Sequence, residues 1–310
     1  MCGIAGIIHK QGATADIGAQ MTAMLQSMKH RGPDSTGYAL FGPSADQIVI
    51  RFTLGDGHDG RGFGMHQRVE RDRAEVESRL AKIGATVDRI EGDTDYAYRA
   101  VVDYDGDLKP LADYLEDVKG CEVLSIGHSL EIIKDLGDAE TVADQYHLAG
   151  FDGTHAIGHV RMATESDVDI SGAHPYWAYP FNDVAVVHNG QLTNYFLWKR
   201  RLERSGHRFQ SECDSEIIAV YLAQKMADGL PLADAMHESL DELDGVFTYM
   251  CVTADALGVA KDEMAAKPLV LYEADDLVAM ASEEVAIRAV IDHEIDTSDP
   301  YERQVLVFDR

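Results

Sequence analysis

The chain opens with Met1-Cys2-Gly3-Ile4-Ala5-Gly6, and Cys2 decides both the predicted fold and the predicted chemistry. Once Met1 is removed, Cys2 carries a thiol and a free α-amino group, so the amine can act as the base for the thiol. Their ordinary pKa values, about 8.5 for the thiol and about 7.7–8.0 for the amine, allow proton exchange near neutral pH. The alternative is that Cys2 is a small buried residue on an N-terminal strand.

Composition excludes several classes of function. The 310 residues carry 27 Lys and Arg against 54 Asp and Glu, a net charge of −27. This charge disfavours binding to nucleic acid or to anionic lipid. There is no apolar run of about 18 residues and no signal peptide, so we expect a cytoplasmic protein without a membrane span. Four scattered cysteines without a Cys-x-x-Cys pair argue against zinc, iron–sulfur ligation and a disulfide framework: Cys2, Cys121, Cys213 and Cys251.

Five further segments concentrate histidine, arginine, asparagine and aspartate at short spacings. They are His30-Arg31-Gly32-Pro33-Asp34, Gly158-His159-Val160-Arg161-Met162-Ala163-Thr164, Ala173-His174-Pro175, Val187-His188-Asn189-Gly190 and Cys213-Asp214-Ser215-Glu216.

Together with Cys2, these segments resemble the class II glutamine amidotransferases of the N-terminal nucleophile hydrolase superfamily. Each motif is short, but six in the family's order, beginning at residue 2, are specific. They cover about residues 1–40 and 156–220, and weaker likeness extends to about residue 283. The resemblance implies an α+β fold, a four-layer αββα sandwich. It also implies hydrolysis of L-glutamine to L-glutamate and ammonia through a γ-glutamyl thioester on Cys2.

The resemblance assigns roles to individual residues. The Asn189 side chain and the Gly190 backbone N–H would stabilise the tetrahedral oxyanion. Arg161 would hold the α-carboxylate of glutamine in a two-pronged contact, and Asp214 would hold its α-ammonium. Three more residues are expected near the substrate, with Arg31 in a supporting role: Arg31, Thr164 and His174.

Simpler interpretations of these residues remain open. Asn189-Gly190 is also the sequence of an ordinary turn, and Arg161 or Asp214 would serve equally in a surface ion pair. Arg31 could form a structural salt bridge with Asp34. Three histidines lie too far apart in sequence for a local metal pattern, and we expect neither metal binding nor proton transfer from them: His159, His174 and His188.

The chain reads as one amidotransferase domain, 1–310, with an inserted α/β subdomain at about 53–153. Within the insertion we predict a helix at Leu108–Val118 and a mostly helical stretch at His128–Leu148. After residue 156 the pattern predicts paired strands and paired helices, typical of packed sheets covered by helices. The helices predicted there are Tyr195–Ser205, Asp214–Asp228, Leu232–Leu243 and Glu283–Asp292.

No segment resembles a synthase that would consume the ammonia. In layout the chain resembles the stand-alone amidotransferase subunit of split glutamate synthases and of N-methylglutamate synthases. We therefore expect a hetero-oligomer in which a separate synthase subunit accepts the ammonia and the insertion serves as a docking surface. We expect no cofactor in this chain, and a flavin or an iron–sulfur cluster only on partner subunits. The alternatives are a catalytically silent assembly or regulatory subunit, and an N-terminal nucleophile hydrolase for another amide.

Overall fold

The computed structural model describes residues 2–55, 65–162 and 170–310. The strands are β1 (Gly3–His9), β2 (Ala15–Asp16), β3 (Ser35–Phe41), β4 (Ile48–Leu54), β5 (Thr86–Gly92), β6 (Ala97–Asp103), β7 (Cys121–Gly127), β8 (Leu130–Leu136), β9 (Asp152–Gly153), β10 (His155–Arg161), β11 (Tyr176–Trp177), β12 (Ala185–Leu192), β13 (Gly245–Val252), β14 (Ala256–Lys261), β15 (Val270–Glu273), β16 (Leu277–Ala281) and β17 (Val305–Asp309). The helices are α1 (Ile17–Ser27), α2 (Met65–Lys82), α3 (Leu108–Glu116), α4 (Ala139–Gln145), α5 (Tyr195–Arg204), α6 (Asp214–Ala227), α7 (Leu232–Glu242) and α8 (Glu284–Arg288).

Two antiparallel sheets form the centre of the molecule. One has the strand order β15-β16-β1-β10-β3-β8 and the other β11-β12-β13-β14-β17. Their inner faces share one apolar core, to which Ile4 and Ile157 contribute from the first sheet and Val187 and Met250 from the second. Helices α1, α4 and α8 cover the first sheet, and α5, α6 and α7 cover the second. The predicted αββα order of layers is confirmed.

Strand β1 is apolar from Gly3 to Ile8 because both of its faces are buried there. Ile4 and Ile8 face the second sheet, whereas Ala5 and Ile7 face the layer of α1. A Cβ atom on Gly6 would lie 3.0 Å from the sulfur of Met250, so glycine allows the two sheets to approach here. Cys2 therefore stands at the start of a central, fixed strand.

A third antiparallel sheet, of order β5-β6-β4-β7, lies between Ile48 and Gly127 and packs against α2 and α3. Two arginines join it to the first central sheet. Arg51 of β4 and Arg99 of β6 each place a guanidinium nitrogen 2.7 Å from a carboxylate oxygen of Glu131 on β8. Glu131 is buried, so this contact fixes the inserted sheet on the edge of the sandwich.

The prediction of a mostly helical stretch at His128–Leu148 is wrong. Most of its first half is strand β8, the edge strand of the first sheet, and only the seven residues of α4 are α-helical. The charged residues of β8 are buried in the structure, although charged residues in a sequence usually indicate an exposed surface. Asp135, for example, is buried and accepts hydrogen bonds from the hydroxyls of Tyr96 and Tyr146.

Other predicted elements have different bounds or were missed. The helix predicted at Glu283–Asp292 is limited to the five residues of α8. Strands β5 and β14 were not anticipated; β5 is mostly polar and exposed, and β14 is built largely of small residues. Within the described residues, no helix is both long enough and apolar enough to span a membrane.

Candidate active site

Cys2 is held by side chains from two different layers. Its half-buried thiol lies 4.0 Å from the carbonyl oxygen of Met162. Its own backbone carbonyl accepts two hydrogen bonds, from Nε of Arg31 at 3.0 Å and from Nδ2 of Asn189 at 3.2 Å. These contacts fix the position of the residue that carries the thiol.

Arg31, which donates to the Cys2 carbonyl, is itself held by a carboxylate. The guanidinium is buried and places Nη1 2.6 Å from Oε1 of Glu283, and Oε2 of the same carboxylate lies 3.0 Å from Nε2 of His30. Burial alone would raise the pKa of the Glu283 carboxyl, but the hydrogen bonds from Arg31 and His30 hold it below its usual range. The carboxylate partner of Arg31 in the structure is thus Glu283 rather than Asp34.

Arg161 ends the strand next to Cys2. Strand β1 pairs antiparallel with β10, with Gly3 opposite Val160, so Cys2 and Arg161 lie at the same end of neighbouring strands. Gly32 packs on this end: a Cβ atom there would lie 2.5 Å and 2.6 Å from backbone atoms of Arg161. The Gly-Pro loop can therefore lie directly against the strand end only because residue 32 has no side chain.

Asn189 and Gly190 do not form a turn. They lie within β12, where they pair with Thr248 and Phe247 of β13. Gly190 has φ +149°, and a Cβ atom on it would lie 2.2 Å from the carbonyl oxygen of Val246. The ordinary-turn interpretation is therefore wrong, because pairing with β13 overrides the local turn preference. The strand directs the Asn189 amide towards Cys2.

Asp214 begins helix α6, and the half-buried Cys213 occupies the N-cap position. Its Oδ2 accepts the backbone N–H of Leu192 at 2.7 Å, and its Oδ1 lies 3.5 Å from Nδ1 of His188. Burial alone would raise the pKa of the Asp214 carboxyl, but the hydrogen bonds from His188 and Leu192 bring it below its usual range. Asp214 is therefore an anion with some of its surface still accessible, which suits it to bind a cation.

Three buried imidazoles lie side by side. The ring centroids of His159 and His174 are 4.1 Å apart, and those of His174 and His188 are 6.4 Å apart. Nδ1 of His174 accepts the backbone N–H of His188, so a neutral ring carries its proton on Nε2, 3.1 Å from Oγ of Ser215. Burial lowers the pKa of His159 to about 3 and that of His174 well below its ordinary value. Both rings are neutral at neutral pH.

The described ranges contain no group of three or more His, Cys, Asp or Glu side chains arranged to hold a metal ion. The ring of His174 packs against those of His159 and His188, and both His174 and His188 lie within hydrogen-bond distance of Oγ of Ser215, which links the Ala-His-Pro loop to the start of α6. Within this group, His188 precedes Asn189 on β12 and contacts Asp214.

Comparison with known proteins identifies the family. A model of the glutamine amidotransferase domain matches residues 159–289. A chain of Methanothermobacter thermautotrophicus that is named as a glutamine amidotransferase is 38% identical over 98% of this chain and 99% of its own length. The glutamine amidotransferase-like protein GlxB of Rhizobium meliloti is 35% identical over 93% of this chain and 91% of its own. The chain belongs to the class II glutamine amidotransferases.

The fold of this amidotransferase is also found in a solved structure. The allosteric regulatory enzyme of purine biosynthesis has a TM-score of 0.61 and 20% identity, and the match covers 99% of this chain. The chain spans about half of that enzyme, 47% of its length. This likeness concerns the fold alone.

The structure of the amidotransferase brings together most of the residues singled out in the sequence. Arg31 and Asn189 contact Cys2 directly, while His174 and Asp214 are joined to each other through Ser215. Thr164 and Met1 lie outside the described residues. The sequence did not predict Glu283 as part of the site, although the likeness to the family extends to about that residue. Ser215 was likewise quoted only as part of its motif, without a role.

Proposed function

We propose that this amidotransferase hydrolyses L-glutamine at Cys2 and passes the ammonia to a separate synthase subunit. The observation that carries the proposal is the contact of the Asn189 amide with the Cys2 carbonyl. It brings a hydrogen-bond donor from one central sheet to a thiol-bearing residue at the end of the other. A nucleophile and an oxyanion donor must be this close to act on one carbonyl group.

The first half of the reaction releases ammonia. The α-amine of processed Cys2 takes the thiol proton as Sγ attacks the amide carbon, and the carbonyl electron pair moves to oxygen. Asn189 has two amide hydrogens; one binds the Cys2 carbonyl, so the second is available for the oxyanion. The backbone N–H of Gly190 is the second donor. The carbonyl re-forms, the C–N bond breaks, and nitrogen leaves with the proton from the α-amine.

The second half of the reaction regenerates the thiol. Water attacks the γ-glutamyl thioester and gives a proton to the α-amine. The C–S bond then breaks, L-glutamate leaves, and the sulfur recovers the proton. These steps require no group beyond water and the residues named here.

Glutamine would be held at both of its α-groups. Arg161, at the end of β10, would bind the α-carboxylate, and the anionic Asp214 would bind the α-ammonium. His174 is neutral and adds no competing positive charge beside the ammonium. Thr164 is proposed as a further contact on the motif alone.

The separate synthase is proposed from the lengths of two relatives that are named for the amidotransferase alone. Two relatives match over 99% and 91% of their own lengths, so chains of this extent recur. A synthase of the glutamate or N-methylglutamate type would carry any flavin or iron–sulfur cluster itself, and the inserted sheet would offer it a docking surface. A reducing cytoplasm would keep Cys2 as a thiol.

The test uses the electrophilic glutamine analogue 6-diazo-5-oxo-L-norleucine. Mass spectrometry first establishes that Met1 has been removed. We expect the analogue to label Cys2 and leave Cys121, Cys213 and Cys251 unmodified. Cys2→Ala should lose the label, and ammonia release should fall by about three orders of magnitude or more. An unlabelled Cys2 in processed protein would instead favour a silent assembly or regulatory subunit.

The second arm tests ammonia transfer. If the synthase subunit is separate, adding it should raise glutamine turnover and direct nitrogen from amide-labelled glutamine into the synthase product. Full incorporation of nitrogen into a product by this chain alone would contradict a separate acceptor.

A further inference from the structure

Helix α3 of the inserted subdomain has one face directed at the segment that leads into α6. Lys109, Asp113 and Glu116 are spaced four and three residues apart, so they share this face. Asp113 accepts a hydrogen bond from Nε of Arg208 at 2.5 Å, and Glu116 forms an ion pair with Nη1 of the same arginine. Lys109 donates to the carbonyl of Gly206 at 3.2 Å. We call residues 205–213 the α6 approach loop.

Gln210 connects the insertion to α6 through this loop. Its side-chain amide donates to Oε1 of Glu116, while its backbone N–H donates to Oε1 of Glu216 at 2.8 Å. Oε2 of Glu216 accepts the backbone N–H of Ser211 at 2.9 Å and the Ser211 hydroxyl at 2.6 Å. The approach loop is thus held between a carboxylate of the insertion and a carboxylate of α6.

The two carboxylates at the ends of this connection are shielded from water, whereas the glutamine side chain between them is exposed. Glu216 is buried, and the Glu116 side chain is 11% exposed. Arg208 stacks over the Tyr179 ring at 4.2 Å, and the Tyr179 hydroxyl donates to Asp113 at 2.5 Å. Hydrogen bonds to the two shielded carboxylates are stronger than exposed ion pairs, because solvent screens them less.

We propose that Glu116 is a positioning residue for glutamine binding, acting through Gln210 and Glu216 on the start of α6. Glu216 is two residues from Asp214, in the same helical turn, so contacts that fix Glu216 also fix Asp214. We call the chain of contacts from Glu116 through Gln210 to Glu216 the brace. The inserted subdomain thereby holds Asp214 where the α-ammonium arrives. This inference rests on the function proposed above, in which Asp214 binds glutamine.

The geometry explains why such a brace is needed. The approach loop reaches Cys213 at the N-cap, and no side chain caps the first turn of α6 from that position. Asp214 itself is held at the second sheet by the backbone N–H of Leu192 and by the contact with His188, and both act on its carboxylate rather than on the loop that precedes it. Misplacing a binding group by about 1 Å can cost about 100-fold in rate. A fixed approach loop therefore directly affects how well the ammonium is held.

The experiment compares two electrophiles that differ in whether they carry an α-ammonium group. The first is 6-diazo-5-oxo-L-norleucine and the second is iodoacetamide, and the rate of Cys2 labelling is followed by peptide mass spectrometry in the processed full chain. We expect Glu116→Gln to slow labelling by the amino-acid analogue about tenfold, equivalent to about 1.4 kcal/mol. Labelling by iodoacetamide should not change. Asp117→Asn, a neighbouring and 72% exposed position, is the charge-matched control and should leave both rates unchanged.

The outcomes separate the inference from the function on which it rests. Equal slowing of both reagents would mean a general disturbance of the site, and no slowing of either would mean no role; each result overturns the inference. If circular dichroism shows that Glu116→Gln does not fold, Gln210→Ala is used in its place. It removes the hydrogen bond between Gln210 and Glu116 without changing the charge of the protein, and the same changes in the two labelling rates are expected. Failure of the analogue to label the unsubstituted chain would instead refute the proposed function.

Discussion

The side-chain amide of Asn189 donates a hydrogen bond to the backbone carbonyl of Cys2 at 3.2 Å, across a separation of 187 residues. Cys2 precedes a strand of one central sheet, and Asn189 lies in a strand of the other. The bond therefore connects the two layers at the point where the thiol lies. The distance between nucleophile and oxyanion donor is set by the packing of two sheets and not by a flexible loop.

Replacing Asn189 tests this arrangement. Asn189→Asp keeps the shape of the side chain but removes both N–H donors, so the oxyanion loses a partner. We expect kcat for glutamine hydrolysis to fall by about 10²–10³ with little change in KM. Steady-state ammonia release measures both quantities. Asn182→Asp, at an exposed position, should behave like the unsubstituted enzyme. A loss confined to KM would contradict an oxyanion role.

Gly190→Ala should destabilise the whole fold. The new Cβ atom would lie 2.2 Å from the carbonyl oxygen of Val246, at a φ of +149°. We expect a loss of about 3 kcal/mol in the free energy of unfolding, measured by urea denaturation. Gly229→Ala is the matched control, since Gly229 has φ +102° but nothing within 4 Å of an added Cβ. It should cost only about 1 kcal/mol. Equal losses would mean that strain alone, and not the clash, decides the requirement for glycine.

Sequence reasoning succeeded where the signal is local. Helix α6, for example, begins at Asp214 as predicted. The motifs also named Cys2 and Asn189 before their contact was seen.

Sequence reasoning failed where distant partners decide the structure. Glu131 and Asp135 look like surface residues of a helix, yet each is buried in β8 and neutralised or hydrogen-bonded by residues from elsewhere in the chain. The pairing of Arg31 with Glu283, 252 residues away, has no local signature. The spacing of residues in the sequence likewise gives no sign that Glu116 contacts Gln210, 94 residues away. Such contacts require the tertiary structure.

Arg31→Lys tests whether the contacts of Arg31 with Cys2 and Glu283 stabilise the fold more than an exposed ion pair does. Lysine lacks the planar fork that lets Arg31 reach both the Cys2 carbonyl and Glu283, so one of these acceptors loses its partner. We expect a loss of about 2 kcal/mol in the free energy of unfolding, measured by urea denaturation. Arg288→Lys, in an exposed pair with Glu284, should cost less than about 0.5 kcal/mol. Similar costs for both variants would contradict a structural role for Arg31 at Cys2.

Burial of His159 makes stability depend on pH in a defined direction. Its pKa is lowered from 6.5 to about 3, first by burial and then by the neighbouring His188 and Arg161. Between these values the unfolded chain holds a proton that the folded chain excludes. The stability is therefore complete above pH 6.5 and declines as the pH falls towards 3. One such group contributes a slope of about 1.4 kcal/mol per pH unit. His174 acts in the same direction.

His159→Gln should therefore flatten the acid dependence. Urea unfolding at about pH 7.5, 6.0 and 5.0 stays above the range in which most carboxylates are protonated, so histidines dominate the change. We expect the unsubstituted protein to lose about 1.4 kcal/mol more per pH unit than His159→Gln below pH 6.5, whatever their stabilities at pH 7.5. His237→Gln, at an exposed position of α7, should keep the full slope. Parallel slopes for the unsubstituted protein and His159→Gln would contradict the exclusion of a proton from His159 in the folded chain.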